Sequence, residues 1–313
     1  MMQTMVVALG GNAILQKGDK GTARDQRRNV ERTANQLANL VQQGYRLVIT
    51  HGNGPQVGNI LIQNEAGRNR VPDMPMDICG AQSQGMIGYM LQMYMRNALR
   101  QRNLEMPVAT IVTQTLVDLN DPAFSNPTKP VGPFYGEEKA QERIREYGET
   151  WIEDAGRGWR RVVPSPEPKY IVETPSIKTL VEQGHIVICS GGGGIPVFMG
   201  KDGSLQGVEA VIEKDLSAER LASSLGADSL MILTDVNGAA LDYTTRGQTW
   251  LGRVTVQGLT GYLGEGHFLA GSMGPKIRSI IRFIQNGGKY AVIASLDRAE
   301  EAARGETGTV LTP

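Results

Sequence analysis

The apolar run Leu47-Val48-Ile49 ends in Thr50-His51-Gly52-Asn53-Gly54-Pro55-Gln56-Val57-Gly58 and passes straight into a helical pattern. A strand that breaks at a glycine turn and opens a helix points free backbone N–H groups, and the positive end of a helix dipole, at one spot. A second such turn, Gly10-Gly11-Asn12, comes after the strand-like Met5-Val6-Val7-Ala8-Leu9. Two anion-cradling turns on two early strands imply two negatively charged groups held near one another. That arrangement suits phosphoryl transfer.

The rest of the chain has to build a scaffold around these turns. Arg24 to Gln43 places Val30, Ala34, Leu37, Ala38 and Val41 on one helical face and stops at Gly44; Tyr45 to Ile49 is a strand. Asp77 to Arg102 reads as a long helix weakened by Gly80, Gly85 and Gly88, and Pro107 to Val112 as a strand. Later come a helix over Thr174 to Gln183, a strand over His185 to Cys189, and the turn Ser190-Gly191-Gly192-Gly193-Gly194. A helix over Glu213 to Leu225 and a strand over Ser229 to Leu233 lead to Thr234-Asp235-Val236-Asn237. A helix over Pro275 to Gln285, with strands at Tyr290 to Ala294 and Thr309 to Leu311, completes the pattern. Such βαβ alternation predicts an α/β fold whose mainly parallel sheet is covered on both faces.

Between about Asp118 and Tyr170 the texture changes. Seven of the 15 prolines and two of the three tryptophans, Trp151 and Trp159, fall there. Asn126-Pro127-Thr128-Lys129-Pro130 and Pro164-Ser165-Pro166-Glu167-Pro168 fit neither a regular helix nor an inner strand. The segment is expected to form an inserted subdomain of short elements over the sheet, since a long irregular stretch rich in aromatics is neither plain loop nor disordered tail. The remainder divides into a small-substrate lobe over about 1–175, carrying the insertion, and a nucleotide lobe over about 176–313.

Bulk properties remove several classes of function. Lysine plus arginine equals aspartate plus glutamate, 32 each, so no global field draws in nucleic acid or a membrane surface. No apolar run approaches the roughly 20 residues of a membrane span. Cys79 and Cys189 read as buried reduced thiols, and a cytoplasmic setting is expected. There is no G-x-x-x-x-G-K-[ST] and no G-x-G-x-x-G, so neither a P-loop enzyme nor a dinucleotide oxidoreductase is indicated. Ser83 misses nucleophile-elbow spacing by one residue. His51, His185 and His267 are scattered, the cysteines are unpaired, and no resident metal site is expected. His51 reads as a support for the Gly52 turn.

What remains is a set of lysines in unusual places. Lys129 is stiffened by Pro127 and Pro130, while Lys214 and Lys276 sit at helix starts, where a cation opposes the dipole unless an anion is near. With the glycine turns, they supply what phosphoryl transfer asks of a protein: two oxyanions forced together and compensation for charge on the moving group. Backbone N–H groups of Gly10, Gly11, Gly52 and Gly54 are expected to contribute.

These residues form a recognisable set. Ala8-Leu9-Gly10-Gly11-Asn12-Ala13, the Thr50 to Gly58 turn, Cys79-Gly80-Ala81 with Ser83-Gln84-Gly85, and Asn126 to Phe134 occur in order. So do Trp159 to Pro166, Gly207-Val208-Glu209-Ala210-Val211-Ile212 and Gly271-Ser272-Met273-Gly274-Pro275-Lys276. The whole chain thereby resembles the carbamate kinases of the amino acid kinase family. The resemblance implies a three-layer αβα sandwich around an open, mainly parallel sheet with a small protruding subdomain. It implies reversible phosphoryl transfer between carbamoyl phosphate and ADP with Mg²⁺, giving ATP and carbamate, in a cytoplasmic homodimer. Arginine breakdown is one of several pathways it could serve.

Residue by residue, the resemblance gives Gly10, Gly11 and Asn12 to the nucleotide's terminal phosphate, and Gly52, Asn53 and Gly54 to the carbamate carboxyl group. Lys129 would reach the carbamate or the transferred phosphoryl oxygens. Lys214 and Lys276 would bind nucleotide phosphates and stabilise the transition state, with Asp215 orienting the lysines. Thr234 and Asp235 would lie near the adenosine. Gly238-Ala239-Ala240 departs from the family pattern, which commonly has a bulkier residue there, and puts nucleotide affinity in question. A kinase for another small acyl phosphate, such as N-acetylglutamate or aspartate, is the nearest alternative, which the Asn126 to Phe134 stretch disfavours. A catalytically silent nucleotide-binding subunit is the next.

Overall fold

A computed structural model describes residues 2–269 and 271–313. Its spine is an eight-stranded sheet in the order Arg253–Val254, Thr309–Leu311, Tyr290–Ser295, Ser229–Thr234, Gln3–Leu9, Tyr45–His51, Ile186–Ile188, Val108–Thr110. Every pairing is parallel except Tyr290–Ser295 with Thr309–Leu311. The central strands are continuous apolar runs because both faces are covered. Along Gln3–Leu9 the alternation divides the cores: Met5, Val7 and Leu9 face one cluster, Val6 and Ala8 the other.

The first cluster takes its partners from the helices Ala23–Gln42, Met76–Arg100 and Ala299–Ala303. The second takes them from Thr174–Glu182, Lys214–Leu225 and Met273–Gln285. Three layers result, as the sequence pattern predicts. Gly88 sits mid-helix for a packing reason: a Cβ there would lie 2.2 Å from Thr110 Cγ2 on the edge strand. The glycine that weakens the helix lets it approach the sheet.

Three smaller sheets stand outside this spine, and the sequence pattern does not show their pairing; the smallest joins Ala240–Leu241 to Thr249–Trp250. Leu205–Gly207, Ile195–Met199, Gln114–Leu116 and Tyr170–Ile171 form a four-stranded sheet, and the helix Val256–Gly264 is likewise an addition to the expected elements. The proline-rich insertion contains an antiparallel sheet, Lys129–Tyr135, Trp159–Val163 and Thr150–Glu153, with the helix Glu137–Tyr147. Prolines at 130 and 133 fit because Lys129–Tyr135 is an edge strand, and its register slips between Val131 and Tyr135. Among the described residues no helix is long and apolar enough to cross a membrane.

Candidate active site

Four neighbouring parallel strands end side by side: Ser229–Thr234, Gln3–Leu9, Tyr45–His51 and Ile186–Ile188. Their carboxyl ends carry, in spatial order, Asp235, Gly10-Gly11, Gly52-Asn53-Gly54 and Ser190–Gly194. Ligand sites of open α/β sheets lie at this carboxyl rim. Pairing continues one residue past two of the strands: Gly10 N–H donates to Leu233 O at 2.8 Å and Gly52 N–H to Leu9 O at 3.0 Å. These two N–H groups are therefore not free for an anion, which corrects the sequence expectation. Among the described residues, Gly11 and Gly54 have no protein acceptor for theirs. The two turns touch, since a Cβ built on Gly52 would lie 3.5 Å from Gly11 N and 3.6 Å from Lys214 Cδ.

Lys214 and Lys276 begin different helices yet meet on one carboxylate. Asp215 Oδ1 accepts from Lys214 Nζ, and Oδ2 accepts from Lys276 Nζ at 3.1 Å. Asp215 is 3% exposed. Burial pushes its carboxyl up, but the two ammonium groups outweigh burial and hold it below the ordinary carboxylate range. Burial pushes the Lys214 ammonium down and Lys276 adds repulsion, while Asp215 opposes both. Two cations thus share one anion beside the glycine turns. Lys129 arrives from the insertion and contacts Glu213, the residue immediately before Lys214.

Asn53 is held from below. Its Nδ2 donates to Ser83 Oγ at 2.8 Å, and Ser83 Oγ donates to Gly80 O at 2.6 Å. Above it passes the Ser190–Gly194 turn, where a Cβ on Gly192 would fall 2.2 Å from Asn53 Nδ2. Gly192 has φ +66, and Ser190 takes the left-handed region at φ +52. Ser190 is fixed there by Thr113 Oγ1, Thr50 Oγ1 and Ser217 Oγ. The run of four glycines is the sequence signal for this wall of the site, although the sequence alone gives it no site role. His51 is buried; its Nδ1–H donates to Gly52 O at 3.1 Å, and burial pushes its pKa down to about 4. A neutral ring supporting the turn is what the sequence suggests.

A cavity of about 550 Å³ opens between these turns and the insertion, lined by Asn53, Gly54, Lys129, Arg160, Gly192 and Ile212 among others. Its walls come from both halves of the chain. The Lys214–Asp215–Lys276 cluster and the Gly10-Gly11-Asn12 turn lie outside its lining, and Asp235, with Asn237, Tyr243 and Trp250, lines a separate hollow of about 310 Å³. Tyr243 and Trp250 meet edge to face with ring centroids 6.3 Å apart, and neither stands out in the sequence. Thr234 donates to Asp235 Oδ1 at 3.1 Å. The small residues Gly238, Ala239 and Ala240 point inward: a Cβ on Gly238 would lie 2.9 Å from Thr309 Oγ1, and both alanines are buried. Packing against the strand Thr309–Leu311 leaves no room for a side chain at Gly238.

The family model described as "Amino acid kinase family" matches residues 3–295. This chain belongs to the amino acid kinase family. Within that family it is 58% identical over 315 residues to "Carbamate kinase" of Pyrococcus horikoshii, covering 100% of both chains. It is 60% identical over 311 residues to "Carbamate kinase" of Thermococcus kodakarensis, covering 98% of each. Its fold matches the carbamate kinase of Giardia lamblia bound to AMP-PNP with a TM-score of 0.95 at 47% identity, covering 99% of this chain and 98% of that one. The amino acid kinase resemblance carried by seven motifs, and the sandwich it implies, are borne out along the full length.

Proposed function

We propose that this amino acid kinase transfers a phosphoryl group between carbamoyl phosphate and ADP, forming ATP and carbamate. Full-length likeness to carbamate kinases supports the substrate pair. The observation that carries the chemistry is the Lys214–Asp215–Lys276 cluster set against two touching glycine turns. In this reading Gly11 and Asn12 receive the nucleotide's terminal phosphate, and Asn53 and Gly54 receive the carbamate carboxyl group. Gly10 and Gly52 shape the turns rather than donate. Lys214 and Lys276 neutralise the phosphoryl oxygens, Asp215 orients both ammonium groups, and Lys129 closes on the group from the insertion. A β-phosphate oxygen of ADP attacks phosphorus, the bond from phosphorus to the carbamate oxygen breaks, and carbamate leaves as an anion. No protein base is required, because both exchanging oxygens are anionic.

Adenosine is assigned to the hollow beside Thr234 and Asp235, where Tyr243 and Trp250 offer aromatic faces. The small-substrate and nucleotide sides are then arranged in the order of strands along the sheet. Mg²⁺ would enter on the nucleotide phosphates: among the described residues no three acidic, histidine or cysteine side chains cluster, and Asp215 is held by two lysines. That donor set fits an ion bound mainly by phosphates and water. When bound, the ion neutralises charge between the two phosphates.

A homodimer in the cytoplasm completes the reading. The helix Met76–Arg100 exposes Ile78, Met86 and Tyr89 on one face, a stripe suited to a second copy, and both cysteines are free and buried. The test is ATP formation from carbamoyl phosphate and MgADP by purified protein, with and without EDTA. Rapid ATP synthesis abolished by EDTA is expected. No ATP above the spontaneous background from folded protein would overturn the substrate assignment.

A further inference from the structure

The residue before Lys214 is placed as a helix cap but does not act as one. Glu213 is the N-cap of Lys214–Leu225, and its side chain makes no capping hydrogen bond. The short side chains that cap helices well, Ser, Thr, Asp and Asn, contribute about 1 kcal/mol there; the longer glutamate is free to pair elsewhere. Its carboxylate instead contacts Lys129 Nζ of the insertion, 84 residues away in sequence. The two side chains are 21% and 29% exposed, so the contact lies inside the cleft mouth rather than on the open surface.

The two ends of this contact differ in rigidity. Glu213 is anchored: its carbonyl accepts from Ser217 N–H at 3.0 Å, and the next two residues are locked into the Lys214–Asp215–Lys276 cluster. Lys129 sits at the first position of a strand in a small antiparallel sheet. Lys214 and Lys276 take one oxygen each of Asp215, while Lys129 is paired with Glu213. The three lysines are therefore divided over the two carboxylates that flank Lys214, leaving one net positive charge on the group.

From this geometry we propose that Glu213 is the positioning residue for Lys129, tying the insertion to the start of the helix that carries Lys214 and Asp215. It touches neither substrate in this scheme and acts through the lysine. The catalytic consequence rests on the carbamoyl phosphate reading above; the tie itself does not. A reacting cation displaced by about 1 Å can cost up to about 100-fold in rate. Removing the anchoring charge thus lowers kcat while leaving nucleotide binding in place.

The experiment compares Glu213→Gln, Glu213→Asp, Lys129→Ala and the double variant Lys129→Ala/Glu213→Gln with the unmodified chain. The expected result for Glu213→Gln is a kcat loss on the order of 10- to 100-fold with KM for MgADP within about twofold. Glu213→Asp should recover part of that loss. In the Lys129→Ala background, Glu213→Gln should add less than about twofold, because the partner it positions is gone. Equal fold-losses in both backgrounds would overturn the proposal. A readout independent of turnover is amide hydrogen exchange across 129–163, which should quicken in Glu213→Gln. Unchanged exchange overturns the tie. Quickened exchange in a chain that never turns over carbamoyl phosphate supports the tie and overturns only the substrate reading.

Discussion

The sheet body and the inserted subdomain are built on opposite principles. The body buries two apolar clusters, one on each face, and places its charged cluster at the rim where strands and helix starts converge. The insertion meets the body through polar contacts: Lys129 with Glu213, Arg161 with Glu209, Tyr135 Oη with Glu65 at 2.5 Å, and Arg68 with Tyr147 Oη at 2.9 Å. Apolar burial contributes about 25 cal/mol per Å² and gives way only when the core opens. Partly exposed polar contacts are individually worth about 1 kcal/mol or less and can be exchanged one for another. The body therefore sets stability, and the insertion can adjust over the cavity at little cost.

Substitutions can break that contrast in order of size. Asp215→Ala leaves two lysines facing each other without their shared anion. It should cost about 3–5 kcal/mol in urea unfolding and remove most turnover. A variant within about 1 kcal/mol of the unmodified chain would show that the rim cluster is not integral to the body. The next effect is a pH dependence located at His51. Its folded pKa of about 4 lies below the ordinary value of 6.5, so the unfolded chain binds the proton between these values. Stability is then full above pH 6.5 and falls by roughly 3 kcal/mol as pH drops to 4. His51→Gln should flatten that window; an equal acid slope in the variant would assign the slope to other groups.

Gly192→Ala is smaller and sharper. Alanine at φ +66 costs about 1–2 kcal/mol, and its Cβ would displace the Asn53 amide. Loss of affinity for carbamoyl phosphate beyond any loss for ADP is expected, and equal losses would deny Asn53 its proposed contact. Smallest is Tyr135→Phe in the insertion, which removes only the bond to Glu65 and should move stability by about 1 kcal/mol or less. A loss of several kcal/mol would mean that the insertion is part of the body after all.

Much of this is legible in the sequence because it is local. Glycine turns after apolar runs, lysines at helix starts and a proline-rich interruption are all visible within a few residues, and they locate the rim and the insertion. The α/β class comes from periodicity alone. The illegible part depends on long-range pairing. Nothing near Gly10 or Gly52 reveals that Leu233 and Leu9 take their N–H groups. Glu213 looks like any helix-start carboxylate until the insertion brings Lys129 to it. The smallness of Gly238 reads as a feature of a nucleotide pocket until Thr309 is seen against it. Short strands such as Gln114–Leu116 and Arg253–Val254 offer too few residues for a period to register.

The most direct measurement is a side-by-side comparison of the unmodified chain and Lys129→Ala for ATP formation from carbamoyl phosphate and MgADP, ADP affinity and melting temperature. If the body binds nucleotide and sets stability while the insertion delivers a reacting cation, turnover falls on the order of 100- to 1,000-fold. ADP affinity and melting temperature then stay close to those of the unmodified chain. Comparable losses in turnover and ADP affinity, or turnover left intact, would contradict that division of labour.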